Sequence, residues 1–285
     1  MDAVFCNPDR PSGRGRKLEA PPVKLAALEL GLPLHQPERW KDAGTRALWE
    51  ALRIDLAIVV AYGHILPAWM LDSLSLGAWN LHSLLPRWRG AAPVNHAILA
   101  GDAETGVSLM RLTPGLDEGP VLALARRPIT MEDDAEGLLK VLAGDAATLL
   151  SAQLPAIRMG MAKPVAQREG QATSASKLSK DMAKLHPERS ALELHRQVRA
   201  LQPWPGSWVE TVGGRLAIWR AEAIPGWGGG EDASPGRFGR FGLYARDGYR
   251  ALREVQPAGG RRMTFDELVR GRPGIIGSSV EGDGG

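Results

Sequence analysis

Asn80-Leu81-His82-Ser83-Leu84-Leu85-Pro86-Arg87-Trp88-Arg89-Gly90-Ala91-Ala92-Pro93 decides the reading of this chain, together with Gly115-Leu116-Asp117-Glu118-Gly119 downstream. The first stretch continues a strand-like run, Gly77 to Leu81, and leads into a helix-like one, Ala91 to Ala100. Asn80 and His82 are two residues apart, so on an extended strand both side chains point to one face. Asp117 sits in a Gly-flanked turn after the apolar run Val107 to Leu112. An amide, an imidazole and a carboxylate at the ends of neighbouring strands suit acyl transfer. Each also has a plainer role. Asn80 can bond a turn backbone, His82 can be a satisfied half-buried histidine, and Asp117 can simply be a turn residue.

The surroundings of these motifs read as an open α/β sheet. Ala3 to Cys6 is the end of a short buried strand, Val23 to Leu30 a helix stopped by Gly31, and Leu32 to His35 an extended piece. Thr45 is read as the cap of a helix running to Arg53. Asp55 to Tyr62 is continuously apolar after its first residue, the pattern of a strand buried on both faces of a parallel sheet. Strand–helix alternation recurs up to residue 160, where the amphipathic stretch Leu138 to Ile157 closes a first domain. Ligands of such sheets bind beyond the carboxyl ends of the strands. Ala61-Tyr62-Gly63, Asn80 to His82 and Gly115 to Asp117 all lie at such ends.

Residues 161–182 read as a polar linker and 183–272 as a second domain. Within the latter, a helix from His186 to Ala200 precedes short strands separated by Gly-rich turns, which points to a small β-barrel. Gly226 to Phe241 reads as loop, and the tail 273–285 as disordered. Trp204 and Trp208 are expected in the barrel core. His64, His96 and His195 have no motif around them.

Charge divides unevenly along the chain. Residues 1–160 carry 16 Lys and Arg against 18 Asp and Glu, and residues 161–285 carry 19 against 14. A basic second part hints at a polyanionic partner, although solvated arginines explain it equally well. The loop Asp9 to Pro22 is basic too, at Arg10, Arg14, Arg16 and Lys17, and a long loop of this kind is uncommon without a function.

Apolar and charged contents of 44% and 24% are those of a globular protein. The longest apolar run, Leu56 to Tyr62, is far short of the ~20 residues that span a bilayer. The first eight residues carry neither a basic leader nor an apolar core. One cysteine, Cys6, excludes an internal disulfide. A cytoplasmic chain without a membrane partner is therefore expected. The six histidines show no metal-ligand spacing, so no metal is expected.

The motifs N-x-H, S-L-L-P-R-W-R-G-A-A-P and G-L-D-x-G together closely resemble those of the folate-dependent formyltransferases, above all the branch that formylates methionyl-tRNA. The resemblance spans nearly the whole chain. It implies a Rossmann-like, mostly parallel first domain, a smaller OB-like tRNA-binding β-barrel, and a monomer. It implies formyl transfer from 10-formyltetrahydrofolate, as substrate rather than bound cofactor, to the α-amine of methionyl-initiator tRNA. Asn80, His82 and Asp117 become the catalytic set. Ser83, Leu84, Leu85 and Pro86 become the folate segment, with Ala61, Tyr62 and Gly63 as a second wall. Arg10, Arg14, Arg16 and Lys17 become tRNA contacts, Arg14 foremost. Arg87, Trp88 and Arg89 can either orient substrate phosphates or hold the loop. A small-amine acceptor (a sugar nucleotide or glycinamide ribonucleotide) and a non-catalytic RNA-binding remnant are the competing readings.

Two departures from the family pattern stand out. Family members begin with a strand–turn–helix unit of roughly 30 residues before the piece matching Ala3 to Cys6. Without it the sheet is expected to lack a central strand and to leave apolar faces uncovered. The family also carries a small residue between the His and the Ser, whereas Ser83 follows His82 directly. A tighter or re-aimed turn is expected there.

Overall fold

The chain opens on Val4–Phe5 (β1), a ribbon of Arg10–Ser12 (β2) and Lys17–Glu19 (β3), a helix Pro22–Glu29 (α1), and Leu34–His35 (β4). These come from a computed structural model that describes residues 1–12, 17–225 and 233–281. β1 and β4 pair in parallel. Pro22 opens α1, where its missing N–H costs nothing, and Gly31 follows the helix at φ +63°.

Ala43–Leu52 (α2), Leu56–Val60 (β5), Ala68–Asp72 (α3) and Gly77–Ser83 (β6) follow. α2 begins two residues before Thr45, with Asp42 at its N-cap, so the expected Thr45 cap is corrected to a first-turn position. After Arg89–Gly90 (β7) and Pro93–Ala100 (α4) come Glu104–Arg111 (β8), Val121–Pro128 (β9) and the long helix Ala135–Arg158 (α5). The main sheet has the order β5-β6-β8-β9. β5 and β6 run parallel, whereas β6 and β8 run antiparallel, so this sheet is mixed.

β5 is corrected from a strand buried on both faces to an edge strand. It is half-buried from Leu56 to Val59 and exposed at Val60. The β1–β4 pair forms a separate sheet, and no hydrogen bond joins it to β5 among the described residues. Val23, Leu25 and Leu28 of α1 are exposed, with Ala27 as its one buried residue.

The fold divides into two compact units. The first comprises Met1–Arg89, Val107–Ala125 and Ala146–Ala172, and the second comprises Gly90–Gly106, Arg126–Asp145 and Thr173–Gly285. In the first unit, Trp49, Met70, Leu74 and Ala78 form one core cluster, to which Phe5 and Ala57 pack. Trp79, Leu109 and Ile157 form another. Together these clusters fix both faces of β6.

The second unit contains Ser174–Ala175 (β10), Ala191–Leu201 (α6), Trp208–Thr211 (β11), Gly214–Pro225 (β12), Phe238–Gly239 (β13), Gly242–Ala245 (β14), Gly248–Pro257 (β15), Met263–Thr264 (β16) and Phe265–Gly271 (α7). α6 starts later than the expected His186 because Ser190 caps it. Glu193 N–H donates to Ser190 Oγ at 3.1 Å, and Ser190 N–H donates back to the Glu193 carboxylate at 2.9 Å. Leu194 and Val198 of α6 pack on Ile218, Leu243, Leu252 and Val255 of the sheet.

The strand order is β11-β12-β15-β14-β13, with β16 also on β15. The expected barrel is corrected to an open antiparallel sheet, because β11 and β13, at its two ends, do not pair among the described residues. The expected disorder after Gly271 is corrected for residues up to 281. Phe238 N–H donates to Ser278 O and Val280 N–H to Gly236 O, both at 2.8 Å. The expected loop Gly226–Phe241 lies partly outside the described residues, and within it Phe238–Gly239 is strand. Trp204 is 54% exposed, which corrects its expected place in a core. Trp208 is half-buried with the Arg215 guanidinium 3.8 Å from its ring centre.

Candidate active site

β6 carries the first two residues of interest because its flanks hold it on both sides. Val59 pairs with Asn80 on one side, while Met110 and Ser108 face Asn80 and His82 on the other. The strand runs unbroken through Ser83, so Asn80 and His82 share one face as the two-residue spacing requires. Asn80 is 9% exposed. The direct His82–Ser83 step is accommodated inside the strand, with Ser83 paired to Val107.

Asp117 reaches His82 from the turn after β8. Its carboxylate lies 3.4 Å from His82 Nε2, and their side chains are only 12% and 9% exposed. The Asp117 backbone has φ +51°, a left-handed conformation that Asp and Asn tolerate better than other side chains. His82 Nδ1 lies 3.1 Å from the Ser83 carbonyl, which accepts from it when that nitrogen is protonated. The imidazole is thus held at both nitrogens.

The turn holding Asp117 is itself tied down. Arg111 N–H donates to Pro120 O at 2.9 Å. Gln167 Nε2 donates to the carbonyls of Asp117 (2.8 Å) and Gly119 (2.7 Å). Arg89 Nε and Nη2 donate to Gln167 Oε1 at 3.1 and 2.9 Å, and its two terminal nitrogens clasp the Glu169 carboxylate at 3.1 and 2.8 Å. The hydrogen bonds to Glu169 push the Arg89 guanidinium further above its ordinary value. Of the two roles open to Arg89, the structure supports holding the loop.

Ser83, Leu84, Leu85 and Pro86 continue directly from β6. Leu85 is buried, and its N–H donates to Ser108 Oγ at 2.8 Å. Val60 pairs with Leu81, so Ala61, Tyr62 and Gly63 run on beside His82 and Ser83 at the carboxyl end of β5. Ala61 and Gly63 have φ +46° and +76°, which turns the chain there. The Tyr62 ring stands edge-on to Trp40, and burial raises its phenol above the ordinary value. The structure therefore brings the Asn80–His82–Asp117 set, Ser83 and Ala61 to Gly63 to one end of the sheet.

The basic segment is a different case. Arg10 and Lys17 are exposed, but they stand on strands of an antiparallel ribbon, Arg10 opposite Glu19 and Lys17 opposite Ser12. The expected loop is corrected there. Two three-residue strands joined by backbone bonds leave no apolar alternation in the sequence. Arg14 and Arg16 lie outside the described residues. Asp9 anchors the ribbon's base through Lys24 (2.7 Å) and Gln36 (2.9 Å), and the hydrogen bond from Lys24 leads in lowering its carboxyl below the ordinary value.

Sequence reasoning missed Ser108 and Gln167. A serine inside the apolar run Val107 to Leu112 was the available signal for the first. Gln167 fell in a stretch read as linker. Chemically, the arrangement offers an amide donor and an imidazole on one strand face, and a carboxylate that can orient the imidazole or take a proton. Among the described residues no group of His, Cys, Asp and Glu is placed to hold a metal ion, and no helix is long and apolar enough to cross a membrane.

Residues 1–154 match the family described as formyl transferase, and residues 177–273 match the formyl transferase C-terminal domain. Among solved structures, the fold is similar to HypX from Aquifex aeolicus in complex with tetrahydrofolic acid, at 17% identity and TM-score 0.62 over 86% of this chain. The chain spans only 43% of that protein. It is also similar to an N-formyltransferase from Helicobacter canadensis in complex with folinic acid and dTDP-3-aminofucose, at 16% identity and TM-score 0.64, over 92% of this chain and 89% of that one. A sugar N-formyltransferase of Mycobacterium tuberculosis, described as likely, gives 20% identity and TM-score 0.56 over 72% of this chain and 93% of that one. These likenesses concern the fold, whereas the family match covers more than half the sequence. The chain belongs to the formyl transferase family.

Proposed function

We propose that this chain transfers a formyl group from 10-formyltetrahydrofolate to a primary amine. The observation that carries the reading is the His82–Asp117 pair at 3.4 Å, beside Asn80 on the same strand face. The amine attacks the formyl carbon, and the carbonyl oxygen gains negative charge. The Asn80 amide donates a hydrogen bond to that oxygen, and a protonated His82 ring, held at both nitrogens, sets its positive charge beside it; such electrostatic stabilisation is often the largest single catalytic term. The amine proton leaves through Asp117, directly or by way of water, and the folate nitrogen departs with a proton as tetrahydrofolate. Folate is a substrate here. Leu84, Leu85 and Pro86 on one side and Ala61 to Gly63 on the other wall its slot. The free thiol of Cys6 suits a reducing cytosol.

Two acceptors compete. An amino-sugar nucleotide is favoured by the Helicobacter canadensis structure, solved with dTDP-3-aminofucose and similar over nearly its whole length. Methionyl-initiator tRNA is favoured by the motif resemblance and by the basic second part of the chain. In the second unit, Arg215 over Trp208 and Arg262 over Trp219, 3.6 Å from the ring centre, add stacked cation–aromatic pairs of the kind nucleic acids use. Of the two, the likeness in fold lends more support to the sugar nucleotide.

The deciding experiment offers the purified chain 10-formyltetrahydrofolate with a dTDP-amino sugar or with methionyl-tRNA, at low and moderate salt. Turnover of the sugar alone settles for the small acceptor. Turnover of the tRNA, falling steeply with salt, settles for the polyanion. RNA binding without turnover of either would leave the non-catalytic remnant.

A further inference from the structure

We propose that Gln167 is a positioning residue that sets the Asp117 carboxylate against His82, with Arg89 and Glu169 holding Gln167 in turn. The inference rests on the reading of Asp117 given above. Asp117 sits in the left-handed region, a conformation that persists where the surrounding structure holds it. Its own backbone bond to β8 lies at Pro120, three residues beyond Asp117. Two further ties come from one carboxamide. Gln167 Nε2 donates to the Asp117 and Gly119 carbonyls together, spanning the turn on the C-terminal side of the carboxylate.

A carboxamide can hold that position only if it is itself oriented. Both donors of Gln167 are used on the turn, and its oxygen accepts two hydrogen bonds from Arg89. Those bonds fix which end of the amide faces the turn, since Arg89 can only donate. The Arg89 side chain is 14% exposed, and its bidentate bond to Glu169 fixes the guanidinium plane. The chain Glu169–Arg89–Gln167–turn therefore ends on the backbone of the residue that faces His82.

A double-mutant cycle tests this. Formyl-transfer rates are measured for wild type, Gln167→Ala, Asp117→Asn and the double variant, each with its melting temperature and its folate KM. Displacing a reacting group by about an ångström costs ~10²-fold in rate. Gln167→Ala is expected to lower kcat by about that factor in the wild-type background, with little change in folate KM. In the Asp117→Asn background it is expected to cost less than ~2-fold, because the group it positions is already disabled.

Gln167→Glu retains acceptors for Arg89 but loses both donors to the turn, and is expected to behave like the alanine variant while keeping the melting temperature nearer to wild type. Equal losses in both backgrounds, or no loss from Gln167→Ala and Gln167→Glu, would overturn the proposal. An Asp117→Asn variant at full rate would instead sink the reading on which it stands, and that outcome shows in the single variant alone.

Discussion

Leu85 and Ser108 are joined across two elements: the buried Leu85 N–H donates to the Ser108 hydroxyl at 2.8 Å, and Ser108 lies opposite His82 in the β6–β8 pairing. One hydroxyl thus fixes the Ser83–Pro86 segment, the proposed folate wall, relative to the strand that carries His82. Ser108 is fully buried, so no water replaces the lost acceptor in Ser108→Ala. A buried donor left without a partner costs about 1–3 kcal/mol. Urea unfolding should show a loss of that size, and tetrahydrofolate titration a weaker affinity from the freed Ser83–Pro86 segment. Unchanged stability together with unchanged affinity would show the bond to be dispensable.

Asp117→Asn is the cleanest probe of the carboxylate. Asn is the other side chain that accepts a left-handed backbone, so the turn at φ +51° survives and only the charge and the proton site are removed. General acid–base groups contribute typically ~10²–10⁴-fold. Formyl transfer should fall within that range while folate binding persists. A rate within a few-fold of wild type would remove Asp117 from the proton path.

The motif residues were legible in the sequence because chemistry and geometry coincide in them. Asn80 and His82 declare a shared face by spacing alone, and the glycines around Asp117 announce a turn. The α/β class was legible from the apolar run at Leu56 to Tyr62, but its exposure was not. Whether β5 has a neighbour on each side is a property of the sheet, and the strand's own composition is silent on it. The ribbon at Arg10–Glu19 and the open sheet of the second unit were misread for a related reason. Backbone pairing between distant or very short segments leaves no periodic trace. Gln167 was illegible because its work is done by two ends of one amide, 48 and 50 residues from the carbonyls that it holds.

Arg250 raises a question of stability. It is fully buried on β15, and among the described residues Nε, Nη1 and Nη2 meet no hydrogen-bond partner. Burial, helped by the nearby Arg199 charge, pushes its guanidinium well below the ordinary value, to about 9. It therefore stays charged at neutral pH inside an apolar core. Replacing buried charges by apolar groups of similar volume often stabilises, by roughly 1–4 kcal/mol. Arg250→Met should raise the melting temperature. The pH dependence has a definite sign. Above about 9 the folded chain releases a proton that the unfolded chain keeps, so stability contributed by this site rises as pH climbs from about 9 towards the ordinary guanidinium range. Chemical unfolding between pH 8 and 10.5 should show that rise in wild type relative to Arg250→Met.

His195 on α6 gives the acid counterpart. Burial, then the Arg199 and Arg250 charges, lower its imidazole from 6.5 to about 4. Between those values the unfolded chain takes up a proton that the folded chain refuses. Stability is therefore lost as pH falls from 6.5 towards 4. His195→Leu should flatten this acid limb, and Arg250→Met should shorten it from its lower end, because removing one of the opposing charges raises the folded-state value towards 6.5 and leaves the onset where it was. An acid limb identical in wild type and His195→Leu would assign it to other groups.

The two glycines of the Asp117 turn make opposite demands. A Cβ on Gly119 would strike the Arg111 carbonyl, a backbone atom of β8 that cannot swing aside. A Cβ on Gly115 would meet the end of the Glu118 side chain, which has other rotamers to occupy. Gly119→Ala must therefore move the turn itself, breaking the hydrogen bond from Gln167 to the Gly119 carbonyl and drawing Asp117 away from His82. Gly115→Ala needs one exposed side chain to rotate. Transfer rates and melting temperatures of the two variants should diverge: Gly119→Ala at least ~10-fold slower and less stable, Gly115→Ala near wild type in both. Equal tolerance of the two would mean that the turn can shift without consequence, and the placing of Asp117 by its backbone would lose its basis.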